Sequence, residues 1–122
     1  MEKLSITTFN CKGWKPRNFP YLQKIFQSCT FLLIQEHWLF ECEFQKLTNI
    51  LPNSAYHALS SMRDDQLIRG RPYGGTAILY RENIDAKVTP IITTTPRICA
   101  VTVSSEKYNV LIMSIYMPYK YK

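Results

Sequence analysis

The most constraining stretch of this chain is Phe31-Leu32-Leu33-Ile34, an unbroken apolar run that ends at Gln35. A run this short reads as a strand covered on both faces, because a strand with one wet face would alternate with polar residues. What precedes it decides how it is covered. Residues 4–9 are rich in Thr and apolar side chains and stop at Asn10-Cys11-Lys12-Gly13, which predicts a strand followed by a loop. Residues 19–29 follow Pro16 and carry apolar groups at Tyr21, Leu22, Ile25 and Phe26, the spacing of one helix face. Strand, helix, strand is a βαβ unit, and its two strands are expected to run parallel with a right-handed crossover.

The remainder of the chain adds strands of the other kind. Residues 41–51 predict a second amphipathic helix, with Phe44, Leu47, Ile50 and Leu51 on one side and Pro52 as its stop. Residues 55–59 form a weaker strand candidate, and 60–73 read as a long, basic, exposed loop. Gly74-Gly75 introduces a strand over 76–80. The segment 84–92 is ambiguous between strand and loop. Residues 98–103 and 110–115 predict a hairpin around Ser104-Ser105-Glu106-Lys107. The fold class is therefore α/β, a mixed arrangement with a parallel start and an antiparallel end. The last predicted strand runs almost to Lys122 and leaves an open sheet edge. Residues 1–122 are accordingly expected to be the N-terminal part of one larger domain, truncated at the C-terminus.

Composition narrows the classes. The chain is 46% hydrophobic and 20% charged, which is globular rather than disordered. No apolar run reaches the length of a membrane-spanning helix, and the N-terminus has no signal-peptide apolar region. Fifteen basic against nine acidic residues give a net charge of +6, which favours polyanionic partners without establishing one. Cys11, Cys29, Cys42 and Cys99 are scattered, with neither zinc-ligand spacing nor a disulfide framework. Cys29 and Cys99 sit among apolar residues as buried thiols, so an intracellular setting is expected, with the nucleus as one candidate compartment.

Asn10 and Glu36 fall just past the ends of the two predicted parallel strands, where ligands of open α/β sheets collect. Magnesium is commonly held by one or two carboxylates plus water and phosphate oxygens, so Glu36 can anchor such an ion. Asn10 can orient a neighbouring group or bond a phosphate oxygen. On position alone, a turn role for Asn10 and a solvated-loop role for Glu36 are the commoner readings.

Four short motifs change that weight. Thr8-Phe9-Asn10-Cys11-Lys12-Gly13 resembles a T-x-N-x-x-G opening. Leu33-Ile34-Gln35-Glu36 resembles an L-x-Q-E motif. Gly74-Gly75-Thr76-Ala77-Ile78-Leu79 resembles G-G-x-A-I-L, and Ser114-Ile115-Tyr116-Met117-Pro118 resembles x-x-Y-x-P. In this order they resemble the endonuclease/exonuclease/phosphatase superfamily. The resemblance implies part of a four-layer αββα sandwich and a Mg2+ (or Mn2+) cofactor. It implies catalytic roles for Asn10, Glu36 and Tyr116, with Glu36 and Asn10 at the metal. Gln35-Glu36-His37-Trp38-Leu39 and Ile115-Tyr116-Met117-Pro118 look most like the endonuclease domain of non-LTR (LINE-like) retrotransposons, which nicks target DNA ahead of a reverse transcriptase. DNA, the missing C-terminal half of the domain and a downstream reverse transcriptase are the partners this implies; no membrane is.

The family's D-x-N and S-D-H motifs are not found in the chain, so the resemblance implies a fragment that does not cleave alone. Two alternatives stay open. One is another hydrolase of the same superfamily, acting on abasic DNA, poly(A), inositol phosphates or sphingomyelin. The other is a non-catalytic nucleic-acid-binding relic. With the family's second sheet expected to be largely absent, an apolar face would meet water and the isolated chain would associate. Lys12, Lys15, Arg17, Arg63, Arg69, Arg71 and Arg81 are candidates for phosphate contact, against the equally natural reading of solvated loops. His37 and His57 are not expected to be catalytic. Trp14 and Trp38 read as packing residues, with stacking on a base as the alternative for Trp14.

Overall fold

The computed structural model describes residues 3–63 and 71–117. Strands β1 (Ile6–Asn10) and β2 (Phe31–Gln35) are joined by helix α1 (Phe19–Gln27), and the strands pair in parallel with Asn10 opposite Gln35. Pro in its first turn suits α1, since the amide that proline lacks has no partner there in any case. The helix stops two residues short of the expected end. Ser28 closes it by donating its N–H to Ile25 O, and Thr30 N–H then bonds Ser5 O to begin the β1–β2 pairing.

The segment 41–51 is not one continuous helix. A 3-10 turn at Glu41–Glu43 leads to a short α2 (Lys46–Asn49). Its backbone bonds close over three residues, among them Phe44 N–H to Glu41 O and Leu47 N–H to Phe44 O. The Glu43 carboxylate accepts Phe40 N–H at 3.1 Å and pairs with Lys46 at 2.8 Å, which favours a tight start. Thr48 and Asn49 are poor helix formers and do not extend it. Phe44, Leu47 and Leu51 are buried all the same, so the apolar pattern reported burial correctly and helix length incorrectly.

Strands β3 (Ser54–Leu59) and β4 (Thr76–Arg81) complete a four-stranded sheet of order β1-β2-β4-β3, in which β4 runs antiparallel to both neighbours. Strands β5 (Lys87–Ile91), β6 (Ile98–Ser104) and β7 (Asn109–Ile115) form a second, antiparallel sheet in that order. The ambiguous segment 84–92 thus contains a strand. The expectation that the second sheet is largely absent is corrected: its three strands cover the first sheet, and its outer face is the one that meets solvent.

Two cores follow from the alternation of side chains along a strand. Leu32 and Ile34 of β2 point toward the helices and pack with Leu22, Phe26, Leu47, Leu51 and Leu79. Phe31 and Leu33 point toward the second sheet and pack with Ile78, Cys99, Val101, Val103 and Ile112. This is why the run in β2 is unbroken. Each such side chain, fully buried, contributes about 1.5–3 kcal/mol. Helices, first sheet and second sheet make three layers among the described residues, an α/β architecture.

One polar link crosses between the sheets. Gln35, only 8% exposed, donates through Nε2 to Thr8 Oγ1 at 2.9 Å and to Ser114 Oγ at 3.0 Å. Ser114 in turn donates to Ile34 O at 2.8 Å. The link ties β1, β2 and β7 at the end where the parallel strands finish. Gln35→Ala leaves the buried Ser114 hydroxyl short of a partner and is expected to cost about 1–3 kcal/mol in urea denaturation. An unchanged urea midpoint would show that the link contributes nothing to stability.

Candidate functional site

Three loops meet past the ends of β1 and β2. The first is Cys11–Gly13 after β1, the second Glu36–Trp38 after β2, and the third Gly74-Gly75 before β4. Backbone hydrogen bonds join them. Glu36 N–H donates to Gly75 O (2.8 Å) and Trp38 N–H to Gly74 O (2.9 Å), while Gly13 and Trp14 donate to Glu36 O (2.7 Å) and His37 O (3.0 Å). Glu36 and Trp38 hold φ values of 56° and 62°, in the left-handed region that residues with a Cβ avoid. Such a conformation costs roughly 1–3 kcal/mol and persists only where the surroundings over-determine it. The four bonds and two close glycine approaches do so. A Cβ on Gly75 would lie 2.2 Å from His37 Cε1, and one on Gly13 would lie 2.6 Å from the Trp38 ring.

The strained turn presents the Glu36 side chain to Asn10. Asn10 Nδ2 donates to Glu36 Oε2 at 2.7 Å, and Asn10 Oδ1 accepts Lys12 N–H at 3.2 Å. The backbone donor at Lys12 fixes which way the amide faces. Its nitrogen therefore points at the carboxylate and its oxygen points away. Among the described residues one Glu36 oxygen is engaged and the other has no hydrogen-bond partner. Among the described residues no group of three or more His, Cys, Asp or Glu converges as a metal cage. The donor set fits a hard divalent ion anchored by the single carboxylate of Glu36 with water and phosphate oxygens filling the remaining positions, and does not fit a dedicated protein cage.

His37 faces the other way. It is fully buried, its Nδ1 accepts Leu39 N–H at 2.9 Å, and its Nε2 lies 3.0 Å from Leu59 O. Accepting at Nδ1 and donating at Nε2 is the pattern of a neutral ring. Desolvation by burial lowers its pKa from 6.5 to about 4, against smaller opposing contributions from its hydrogen bonds. The opposite facing of Glu36 and His37 arises from the left-handed turn at Glu36. His57, on β3, lies near the sheet-to-sheet interface, where burial lowers its pKa.

Tyr116 follows Ser114 by two residues and keeps the β6–β7 register, with its N–H on Arg97 O at 2.9 Å. Its side chain therefore leaves the face of β7 that Ser114 turns toward Ile34 and Gln35, at the same end as Glu36. Among the described residues no hydrogen bond joins it to Asn10 or Glu36.

The expected basic residues divide. Lys12 and Lys15 rise from the Asn10 loop, and the Lys15 ammonium sits 5.0 Å from the Trp38 ring centroid. Arg17 and Arg71 are exposed on the loops flanking the site. Arg63 follows Ser61, whose hydroxyl accepts Gly75 N–H. Arg69 lies outside the described residues. Arg81 is a correction: it is at the far end of β4, its guanidinium bonded to Phe26 O and stacked 4.7 Å from the Phe26 ring centroid. It anchors α1 and does not face the site. Trp14 is likewise committed to packing, with its indole N–H on Lys46 O at 2.8 Å and its ring against Phe19. Sequence reasoning missed Gln35 and Ser114. The available signal was a glutamine closing an otherwise apolar run.

No protein-family model matches the chain, and no curated protein matches it in sequence. Solved structures do match in shape. An AP endonuclease from Leishmania major superposes with a TM-score of 0.67 at 13% identity, over 93% of this chain and 40% of that one. The endonuclease domain of TRAS1, a telomere-specific non-LTR retrotransposon, gives 0.64 at 14% identity, over 94% and 46%. A 3′ phosphatase from Neisseria, bound to product DNA hairpin, gives 0.50 at 17% identity, over 89% and 40%. The chain has the fold of the endonuclease/exonuclease/phosphatase proteins. It spans less than half the length of these structures.

The neutral, buried His37 makes the fold acid-sensitive. Unfolding lets the ring take up a proton, so the unfolded chain binds more protons between pH 6.5 and about 4. The stability is fully present above pH 6.5 and is lost as pH falls through about 4, by about 3 kcal/mol in total. Urea denaturation across this window should show the loss in the wild type. In His37→Gln, compared with its own value at pH 7, the loss should be smaller.

Proposed function

We propose that this chain is part of a divalent-metal-dependent phosphodiester hydrolase that acts on DNA, similar to the endonuclease domains of non-LTR retrotransposons. The observation that carries the reading is the Asn10–Glu36 pair, held at 2.7 Å by a strained turn at the carboxyl ends of parallel strands. Support comes from the basic residues on the loops around it and from the DNA-processing neighbours that share the fold. In this reading Glu36 holds a Mg2+ or Mn2+ ion, and Asn10 orients the Glu36 carboxylate rather than serving as a second ligand. A bound ion would supply charge neutralisation at a phosphate oxygen. Lys12, Lys15 and Arg71 steer and hold the phosphate backbone without reading sequence. Tyr116 forms part of the wall of the same cleft.

Among the described residues no histidine stands free beside Glu36 to serve the leaving oxygen. His37 is buried with both nitrogens engaged, and His57 lies by the other sheet. Losing such a group costs about 10²–10⁴-fold in rate. The 122 residues therefore bind metal and DNA but do not cleave by themselves, and the rest of the chemistry belongs to further residues of a longer domain.

Calorimetric titration with Mg2+ or Mn2+ is expected to show weak binding that vanishes in Glu36→Gln and weakens about tenfold or more in Asn10→Ala. Equal binding by wild type and Glu36→Gln would remove the metal assignment.

Duplex DNA should bind with an affinity that falls linearly on a log–log salt plot. Replacing Lys12, Lys15 and Arg71 together by Ala should flatten the slope by about 2.7, one phosphate contact each. Supercoiled plasmid incubated with the chain and Mg2+ should stay intact. Nicking abolished by Glu36→Gln would show instead that these residues suffice for catalysis.

A further inference from the structure

The two tryptophans near Glu36 are used differently. Trp14 donates its indole N–H to Lys46 O at 2.8 Å and packs its ring on Phe19. Trp38, two residues past Glu36, does neither. Among the described residues its indole N–H has no hydrogen-bond partner, and no other aromatic ring lies against it. Its side chain is half-buried, whereas Leu39 and Phe40 after it are buried. Its backbone is held at φ 62° by the bond from its N–H to Gly74 O, a conformation that a bulky residue rarely adopts. Strain of this kind gathers at ligand-binding positions. A tryptophan that only packs buries its ring and pairs its N–H, as Trp14 does.

What touches the ring comes from the loop after β1. Gly13 lets that loop lie close: a Cβ added there would be 2.6 Å from the Trp38 ring and 2.8 Å from Lys15 Cε. The Lys15 ammonium sits 5.0 Å from the ring centroid. Among the described residues the Lys15 side chain has no ion pair or hydrogen bond of its own. A cation over an aromatic face at an exposed position is held weakly, and a nucleobase stacked on an indole is held more strongly. A base can therefore replace Lys15 over the ring, and the displaced ammonium, on its flexible stem, is free to meet a phosphate. Gly13 N–H also bonds Glu36 O, and Asn10 of the same loop bonds the Glu36 carboxylate. Ring, cation and carboxylate thus belong to one hydrogen-bonded assembly.

We propose that Trp38 is a stacking platform for one unstacked base of a DNA strand whose phosphate lies at Glu36, with Lys15 first as its removable cover and then as a phosphate contact. The inference rests on the reading of this end as a DNA site and deepens it by naming the substrate class, a single strand or a duplex opened at the site. An intact duplex keeps its bases stacked on one another and offers no base face to the ring. The platform does not read sequence, because every base has a π-face. It adds to binding a part that salt does not screen, beside the phosphate contacts that salt weakens.

The test separates base from backbone. Fluorescence anisotropy compares two labelled strands of equal length and charge, oligothymidylate and the same sugar-phosphate chain without bases. The wild type is expected to bind the base-bearing strand about fivefold or more tighter. Trp38→Leu should lose that preference while still binding the baseless strand, Trp38→Phe should retain part of it, and Lys15→Ala should weaken both strands. Circular dichroism and thermal melting identify variants that remain folded. The wild type gives a second readout by itself: at saturation the base-bearing strand should quench tryptophan fluorescence and the baseless strand should not. Equal affinity for the two strands, a preference that folded Trp38→Leu keeps, or saturation without quenching would each overturn the platform and leave the phosphate contacts standing. Binding of neither strand would overturn the platform together with the DNA reading beneath it.

Discussion

The site depends on the left-handed backbone at Glu36. In an extended conformation the residue would continue β2. In the left-handed one the chain turns back, and the carboxylate faces Asn10 across the β1–β2 pair while His37 is driven inward. Three loops are needed to hold it, because an acidic residue has no intrinsic preference for this conformation. The glycines at 13 and 75 contribute by what they lack: each lets an aromatic or imidazole ring lie where a side chain would otherwise stand. The Glu36 carboxylate is thus fixed by backbone hydrogen bonds and packing, with the Asn10 contact as the last of several constraints.

Electrostatics and packing divide the molecule between them. The end of the sandwich that carries Glu36 is rimmed by Lys12, Lys15 and Arg71, and the hydrogen bonds of Asn10 there are exposed. Arg81, equally basic, sits at the opposite end with its charge used on a helix carbonyl and an aromatic face. Formal charge therefore overstates what is available to a polyanion. Among the described residues, Lys12, Lys15 and Arg71 stand on the loops around Glu36, whereas Arg81 does not.

How much of this was legible in the sequence varies with range. The βαβ start, the G-G strand and the final hairpin could be read because their patterns are local: alternation, helical spacing and turn residues. Residues 41–51 failed as a helix because burial of Phe44, Leu47 and Leu51 looks the same from a string of tight turns. Strand β5 was ambiguous because Pro90 suits only an edge, and edge position is a property of the whole sheet. Asn10 and Glu36 could be nominated from their places after strands, yet the turn that makes them meet is held by Gly74 and Gly75, far along the chain from both. Gln35 and Ser114 are separated by 79 residues, and nothing in either neighbourhood announces the other.

Strand β2 is enclosed on every side: helices on one face, the second sheet on the other, β1 and β4 along its edges. Glu36 hangs directly from its end. Strands of this kind are the last to open in hydrogen exchange, since freeing them means dismantling both cores. The proposed metal anchor therefore has no local route to disorder. It keeps its geometry for as long as the fold exists and loses it only when the fold does, so a substitution deep in either core acts on the site through the population of folded molecules and leaves the shape of each folded one unchanged.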